Sequence, residues 1–303
     1  YTLVPLAKMK EEWWSSELQD DVRIQWLVNL ESKEVAAVRM IYDDVGCISK
    51  LPAGYYKKME ARGIKCTAFN PFRPIMSIIM NNRDHRKILV VDGKTAFTGG
   101  INIADEYINV TTRFGYWKDT GVRIEGKAVW NFTAMFLQMW NFANHSTENY
   151  LAYKPQINWK KHYESDGYVQ PYADSPIDHE NQAENIYLNI INYAKDYVYI
   201  FTPYLIIDNE MITALCLAAK RGVDIKIVTP GIPDKKMVFW LTQSYYRQLV
   251  EAGIHIYEYT PGFIHAKCFA SDDKVATVGT INMDYRSLYL HFENGVFMYN
   301  NDA

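Results

Sequence analysis

Short apolar runs closed by turn residues alternate with amphipathic stretches along most of the chain. The pattern is most regular in the second half. It predicts a helix over 181–195, a strand over 197–206 (YVYIFTPYLI), a helix over 208–221, a strand over 224–230 (DIKIVTP) and a helix over 235–252. In the first half, VAAVRMIYDDVG has the form of GVDIKIVTPGIP, a buried strand running into a turn, and EARGI and EAGI each place a glycine where a helix ends. Residues 148–167 carry no clear period and read as a connector. Strands alternating with helices predict an α/β fold in which helices flank a mixed sheet.

The two halves also share a motif. HRKILVVDGKTAFTGGIN (85–102) and HAKCFASDDKVATVGTIN (265–282) agree at eight of 18 positions at an offset of 180, including His85/His265, Lys87/Lys267, Asp92/Asp272, Gly99/Gly279 and Asn102/Asn282. Upstream, YYKKMEARGIKCTAFNP (55–71) aligns with YYRQLVEAGIHIYEYTP (245–261) at an offset of 190. The first copy therefore holds ten extra residues within FRPIMSIIMNNRD. A unit present twice predicts two similar lobes about a pseudo-twofold axis. Period-2 geometry puts His85 with Lys87, and His265 with Lys267, on one face of a strand.

Composition narrows the chemistry. Hydrophobic residues make up 49% of the chain, enough for a substantial core, and the net charge of −3 supplies no bulk attraction to a nucleic-acid backbone. Cys47, Cys66, Cys216 and Cys268 stand far apart without a C-x-x-C pair, so they read as reduced, buried small hydrophobes rather than a zinc site or disulfide framework. The longest uncharged run, AVWNFTAMFLQMWNFANHST (128–147), is punctuated by Asn131, Thr133, Gln138, Asn141, Asn144 and His145. That pattern predicts a buried or interfacial helix in preference to a membrane span. Two adjacent acids in YDDVG (42–46) read as a cap or turn.

The duplicated H-x-K-x4-D-x6-G-G/T-x-N resembles the motif of the phospholipase D superfamily. NNRDHRKILVVDG, FTGGINIADEYIN, YWKDTGVRIEG, MFLQMWN and HAKCFASDDKVATVGTINMDYRS are similar to bacterial cardiolipin synthases within it. The resemblance runs from about Val38 to Asn300. It implies two phospholipase D-like lobes, 38–147 and 171–303, joined by a connector over 148–170, with the active site between them. Residues 1–37 resemble the family poorly and are expected to form a divergent segment. The second lobe is expected to be C-terminally truncated, and the chain peripheral to a bacterial cell membrane.

The chemistry so implied is phosphatidyl transfer: two phosphatidylglycerols give cardiolipin and glycerol through a phosphohistidine. A neutral imidazole attacks phosphorus while a protonated one delivers a proton to the leaving oxygen, and an unperturbed pKa near 6.5 lets histidine serve in either form. The resemblance assigns His85 as nucleophile and His265 as acid, then base. Lys87 and Lys267 would neutralise the phosphate oxygens, and Asn102, Asn282, Gly100 and Thr280 would line the phosphate site. Asp92 and Asp272 complete the motif as anchors of its geometry. Asp119 and Glu293 are the candidates to fix the histidine tautomers. No cofactor or metal is expected, since lysines supply the positive charge, and no nucleic acid. Two other readings stand: a phosphodiesterase or nuclease that uses water, and a catalytically inactive membrane scaffold. His145, His162, His179, His255 and His291 have no matched partner and read as surface or structural. The insertion in the first copy reads either as lobe packing or as a rim for acyl chains, with Arg73 and Arg83 near lipid phosphate.

Overall fold

A computed structural model of the chain describes residues 24–29, 37–48, 50–71, 81–158 and 167–301. The first lobe comprises β1 (Ile24–Asn29), β2 (Ala37–Asp43), the short helices α1 (Asp44–Cys47) and α2 (Tyr55–Glu60), β3 (Lys65–Phe69), β4 (Ile88–Val91), β5 (Thr95–Gly99), β6 (Gly121–Glu125) and α3 (Val129–Asn144). Its six strands lie in the order β3-β2-β1-β4-β5-β6.

The second lobe comprises β7 (Tyr168–Asp174), α4 (Gln182–Tyr193), β8 (Tyr197–Phe201), β9 (Leu205–Ile206), α5 (Asn209–Lys220), β10 (Asp224–Pro230), α6 (Lys236–Glu251) and β11 (His255–Tyr259). It continues with β12 (Cys268–Ser271), β13 (Val275–Gly279), β14 (Met283–Asp284), α7 (Tyr285–Tyr289) and β15 (Glu293–Tyr299). Its main sheet runs β11-β10-β8-β12-β13-β15-β7. Apart from the added edge strand β7, the two orders correspond strand for strand, as the sequence repeat predicts.

The correspondence breaks in one strand direction. β8 is parallel to β10 and antiparallel to β12, whereas β1 is antiparallel to β2 and parallel to β4. β1 lies inside the segment 1–37 that the sequence sets apart as divergent, and it fills the centre of the first sheet.

The predicted helices and strands of the second lobe form within a few residues of their expected limits, with one difference. The strand expected over 197–206 stops at Phe201 and resumes as the two-residue β9. Pro203 lies in the gap, and it has no N–H to offer a sheet ladder. β7 begins inside the segment 148–170 read as connector.

The helix over 129–144 belongs to the core. Phe132, Phe136 and Leu137 are fully buried, packed with Ile88, Val90 and Ile124 of the first sheet and Val278, Val296 and Met298 of the second. This one apolar cluster ties the lobes together, and truncating a ring such as Phe136 would cost about 3–5 kcal/mol. A second cluster sits beneath β8 and β10 against α4 and α5. Cys47 and Cys66 are buried, but Cys216 and Cys268 only partly so. Among the described residues no helix is long and apolar enough to cross a membrane.

Candidate active site

The two motif histidines leave their strands at the seam between the lobes, and each is gripped by the other lobe. The N–H of His85 donates to the carbonyl of Phe292 (2.9 Å), and the N–H of Phe292 to that of Arg83 (2.9 Å). Across the pseudo-dyad, the N–H of His265 donates to the carbonyl of Lys118 (2.7 Å), and the N–H of Lys118 to that of Phe263 (2.9 Å). The side chains repeat the exchange. Nδ1 of His85 stands 2.8 and 2.9 Å from the two oxygens of Glu293, and Nδ1 of His265 stands 2.8 Å from Oδ2 of Asp119. Each catalytic candidate thus takes its carboxylate from the opposite repeat. An acid at Nδ1 fixes the proton there and puts the lone pair on Nε2.

Sequence spacing explains why both acids arrive in place. KDTGV (118–122) leads into β6 and FENGV (292–296) into the corresponding β15, each with the acid three positions before a buried valine, Val122 and Val296. Glu293 is fully buried and its carboxylate is filled by donors: Oε1 accepts from Ser287 Oγ (2.7 Å) as well as from His85, and Oε2 also accepts from Thr280 Oγ1. Asp119 accepts the N–H of Thr120 through its other oxygen (2.8 Å).

Burial and charge set the protonation states. Burial, then the neighbouring charge of Lys267 and last that of Lys87, push His265 down to about 4 against the opposing pull of Asp119. Burial alone would raise Glu293, but the charge of His85 and its hydrogen bond hold the carboxyl well below the usual range. Lys87 and Lys267 are buried, and each ammonium donates to the carbonyl of its own motif histidine, Lys87 at 2.7 Å.

The remaining candidates divide. Asn102 and Asn282 are buried, each with an amide oxygen that has no partner, and Asn102 donates to the hydroxyl of Tyr107 (2.8 Å). Thr280, expected at the phosphate, is fully buried with its hydroxyl on Glu293, so it positions that acid. Gly100, also expected there, clears room for the seam: a Cβ would collide with the Asp119 carboxylate and stand 2.8 Å from the carbonyl oxygen of His265. Asp272 lies at the far end of β12 from His265. Its carboxylate accepts the backbone N–H groups of Lys195 (2.8 Å), Asp196 (3.0 Å) and Tyr197 (2.9 Å), pinning the β12–β13 turn to the start of β8. Asp92 occupies the matching turn with the same left-handed backbone, φ +54°.

Other side chains at the seam carry no signal in the sequence. Trp117, Tyr107 and Phe263 surround the His265 ring at centroid distances of 5.2, 5.3 and 5.9 Å. His291, read from sequence as surface or structural, packs 5.8 Å from the His85 ring with neither nitrogen hydrogen-bonded, and its Nδ1 is 3.8 Å from Glu293. His85, His291 and Glu293 bring possible metal-ligand atoms within 4.8 Å of one another, the one such set among the described residues. Both Glu293 oxygens already accept hydrogen bonds, from His85, Ser287 and Thr280, while His291 only packs beside them. Arg83 does not face lipid phosphate: it is buried and paired with Asp43 at 3.0 Å. Asp43 also caps α1 by accepting from the N–H of Gly46, as the cap reading of YDDVG expects. Arg73 and most of the inserted segment lie outside the described residues.

Two symmetric acid–imidazole–lysine sets on duplicated sheets leave few families to consider. A family model described as cardiolipin synthase, PLD-like domain, matches residues 15–140 and 187–303. The chain belongs to that family. The match takes in residues 15–37, the stretch that the resemblance covered poorly. Among curated relatives, an uncharacterised protein of Streptococcus mutans is 55% identical over 90% of this chain and 59% of its own length. A cardiolipin synthase of a Geobacillus species is 39% identical over 90% of this chain and 54% of its own. The chain therefore spans about half the length of the curated relatives it matches. Among solved structures, phosphatidylserine synthase of Haemophilus influenzae shares the fold with a TM-score of 0.59 and 15% identity, over 82% of this chain and 65% of that one.

Proposed function

We propose that this chain carries the catalytic core of a phosphatidyltransferase that joins two phosphatidylglycerols into cardiolipin and glycerol. The observation that supports it is the crossed pairing of His85 with Glu293 and His265 with Asp119, which aims two imidazoles from separate repeats into one seam. Nε2 of His85 attacks phosphorus, the bond from phosphorus to the headgroup glycerol oxygen breaks, and His265 gives that oxygen its proton. The resulting phosphatidyl-histidine is cationic on the ring, and buried, ionised Glu293 offsets that charge. His265, now neutral, takes the proton of a hydroxyl on a second phosphatidylglycerol. That oxygen attacks phosphorus and releases His85. Lys87 and Lys267 supply the positive charge that a phosphodiester and its transition state demand. The substrate's own charge draws a proton onto His265, whose resting ring is neutral.

The low pKa of His265 also favours a second order, in which His265 is the nucleophile and His85, stabilised as imidazolium by Glu293, is the acid. The reaction is tested by incubating the purified chain with headgroup-labelled phosphatidylglycerol. Cardiolipin and free glycerol support the proposal. Phosphatidic acid would mean that water is the acceptor, and no turnover would mean a scaffold; both overturn it.

A further inference from the structure

Helix α6 presents apolar side chains in the wrong direction for a helix that serves only the core. Its inward face is Thr242 and Leu249, with Tyr245 and Tyr246 partly covered. Met237, Trp240 and Leu241 fall at i, i+3 and i+4, on one face, and point outward, with Met237 79% and Trp240 64% exposed. The exposed positions of the later turns are polar instead, Gln243, Ser244, Arg247, Gln248 and Glu251, with Val250 a single apolar exception in the last turn. The apolar face is therefore confined to the first two turns. Ile232, just ahead of the helix, is exposed as well. Isolated exposed hydrophobics are ordinary, but a patch of this kind with a polar border marks a docking surface.

What the patch adjoins identifies its partner. The N–H of Ile232 donates to the carbonyl of Gly262 (3.1 Å), and the hydroxyl of Tyr204 donates to Asp234 (2.7 Å). Tyr204 packs in turn on Phe263, one of the rings around His265. From the first lobe, the N–H of Tyr116 donates to the carbonyl of Pro261 (2.9 Å), and the Tyr116 side chain is exposed beside it. The start of α6 is thus part of the rim of the seam. The charges there are of one useful sign: Lys235 and Lys236 are exposed next to Met237, while the acid of the stretch, Asp234, is turned inward onto Tyr204. Outward Trp, Met and Leu beside lysines is the chemistry of a bilayer interface with anionic headgroups, in which apolar rings enter the acyl boundary and ammonium groups stay at the phosphates.

We infer that the start of α6, with Ile232 and Tyr116, is the surface by which this chain seats on an anionic lipid bilayer, holding the seam against the membrane so that a phosphodiester reaches the histidines without leaving it. The inference deepens the phosphatidyl-transfer reading, yet it is tested without turnover. The 303-residue chain is co-sedimented with vesicles of phosphatidylcholine, alone or mixed with phosphatidylglycerol. The parent binds the mixed vesicles. The variant Met237→Ser/Trp240→Ser/Leu241→Ser partitions at least about tenfold more weakly onto both vesicle types, with unchanged circular dichroism. Lys235→Gln/Lys236→Gln weakens binding to the mixed vesicles about tenfold and leaves binding to phosphatidylcholine alone unaltered. Parent-like sedimentation of both variants overturns the inference. So does a change of solution mass in the serine variant with vesicle binding intact, which would make the patch a contact between copies of this chain. A chain that binds vesicles as described but makes no cardiolipin would defeat the proposed reaction and leave the docking surface standing.

Discussion

Glu293, fully buried at the start of one lobe's strand, holds Nδ1 of His85 in the other lobe at 2.8 Å. The pair couples assembly of the lobes to assembly of the catalytic centre, because neither histidine finds its acid within its own repeat. Glu293→Gln keeps the shape and removes the charge that supports an imidazolium or a phosphorylated ring. The expected result is a fall in kcat of about 10²–10⁴-fold, as for other orienting carboxylates, with KM for phosphatidylglycerol little changed. Turnover close to that of the parent would show that His85 does not depend on this carboxylate.

The two orders of attack differ in which variant can trap the covalent intermediate. If His85 is the nucleophile, His265→Ala still forms phosphatidyl-enzyme slowly and cannot discharge it. Intact-protein mass spectrometry then shows the adduct in His265→Ala and none in His85→Ala. The opposite pattern assigns the attack to His265, the histidine that is neutral in the resting protein.

Asp272 stands with the catalytic residues in the motif but a strand's length from them in the fold. Asp272→Ala strips three backbone N–H groups of their acceptor and puts alanine at φ +54°, where an Asp is tolerated and an alanine is strained. A loss of about 2–4 kcal/mol in denaturant unfolding is expected, with kcat per folded molecule retained. A collapse of kcat at full stability would instead return Asp272 to the chemistry.

Much of this architecture was legible from the sequence, for physical reasons. The offset of 180 between motifs predicted matching sheets, whereas the strands expected to carry His and Lys on one face begin just after each lysine, at Ile88 and Cys268. Asp119 and Glu293 could be named as candidates in YWKDTG and HFENG, yet their crossing between lobes is a tertiary fact with no local signal. The same holds for Thr280 and Gly100. Their places beside Asn282 and Asn102 in the motif suggest phosphate, whereas contacts from distant strands give them to Glu293 and to the seam. The reversed direction of β1 was not legible either, since strand polarity leaves no trace in hydrophobic alternation. Nor was His291, whose burial against His85 depends on the turn after α7.

The resting state of His265 has a consequence for stability. Its pKa falls from an ordinary value near 6.5 to about 4 in the folded protein, first through burial and then through Lys267. Between those values the unfolded chain binds the extra proton and the folded one does not, so stability rises with pH across this window. Acidification from pH 7 should therefore begin to destabilise the protein below about 6.5 and stop adding to the effect below about 4, to a total of at most about 3 kcal/mol from this group. Glu293, held low, weakens the fold in the same direction as it protonates, while other buried carboxylates contribute to the absolute curve. The informative quantity is accordingly the difference between the parent and His265→Asn, which cannot titrate. Tm measured from pH 7.5 to pH 4 should fall more steeply for the parent than for the variant, with the gap opening between about pH 6.5 and 4. Parallel curves would mean that His265 carries its proton in the folded protein as readily as in the unfolded one. The buried, lysine-flanked ring would then be protonated at rest, ready to act as the acid before any phosphodiester arrives.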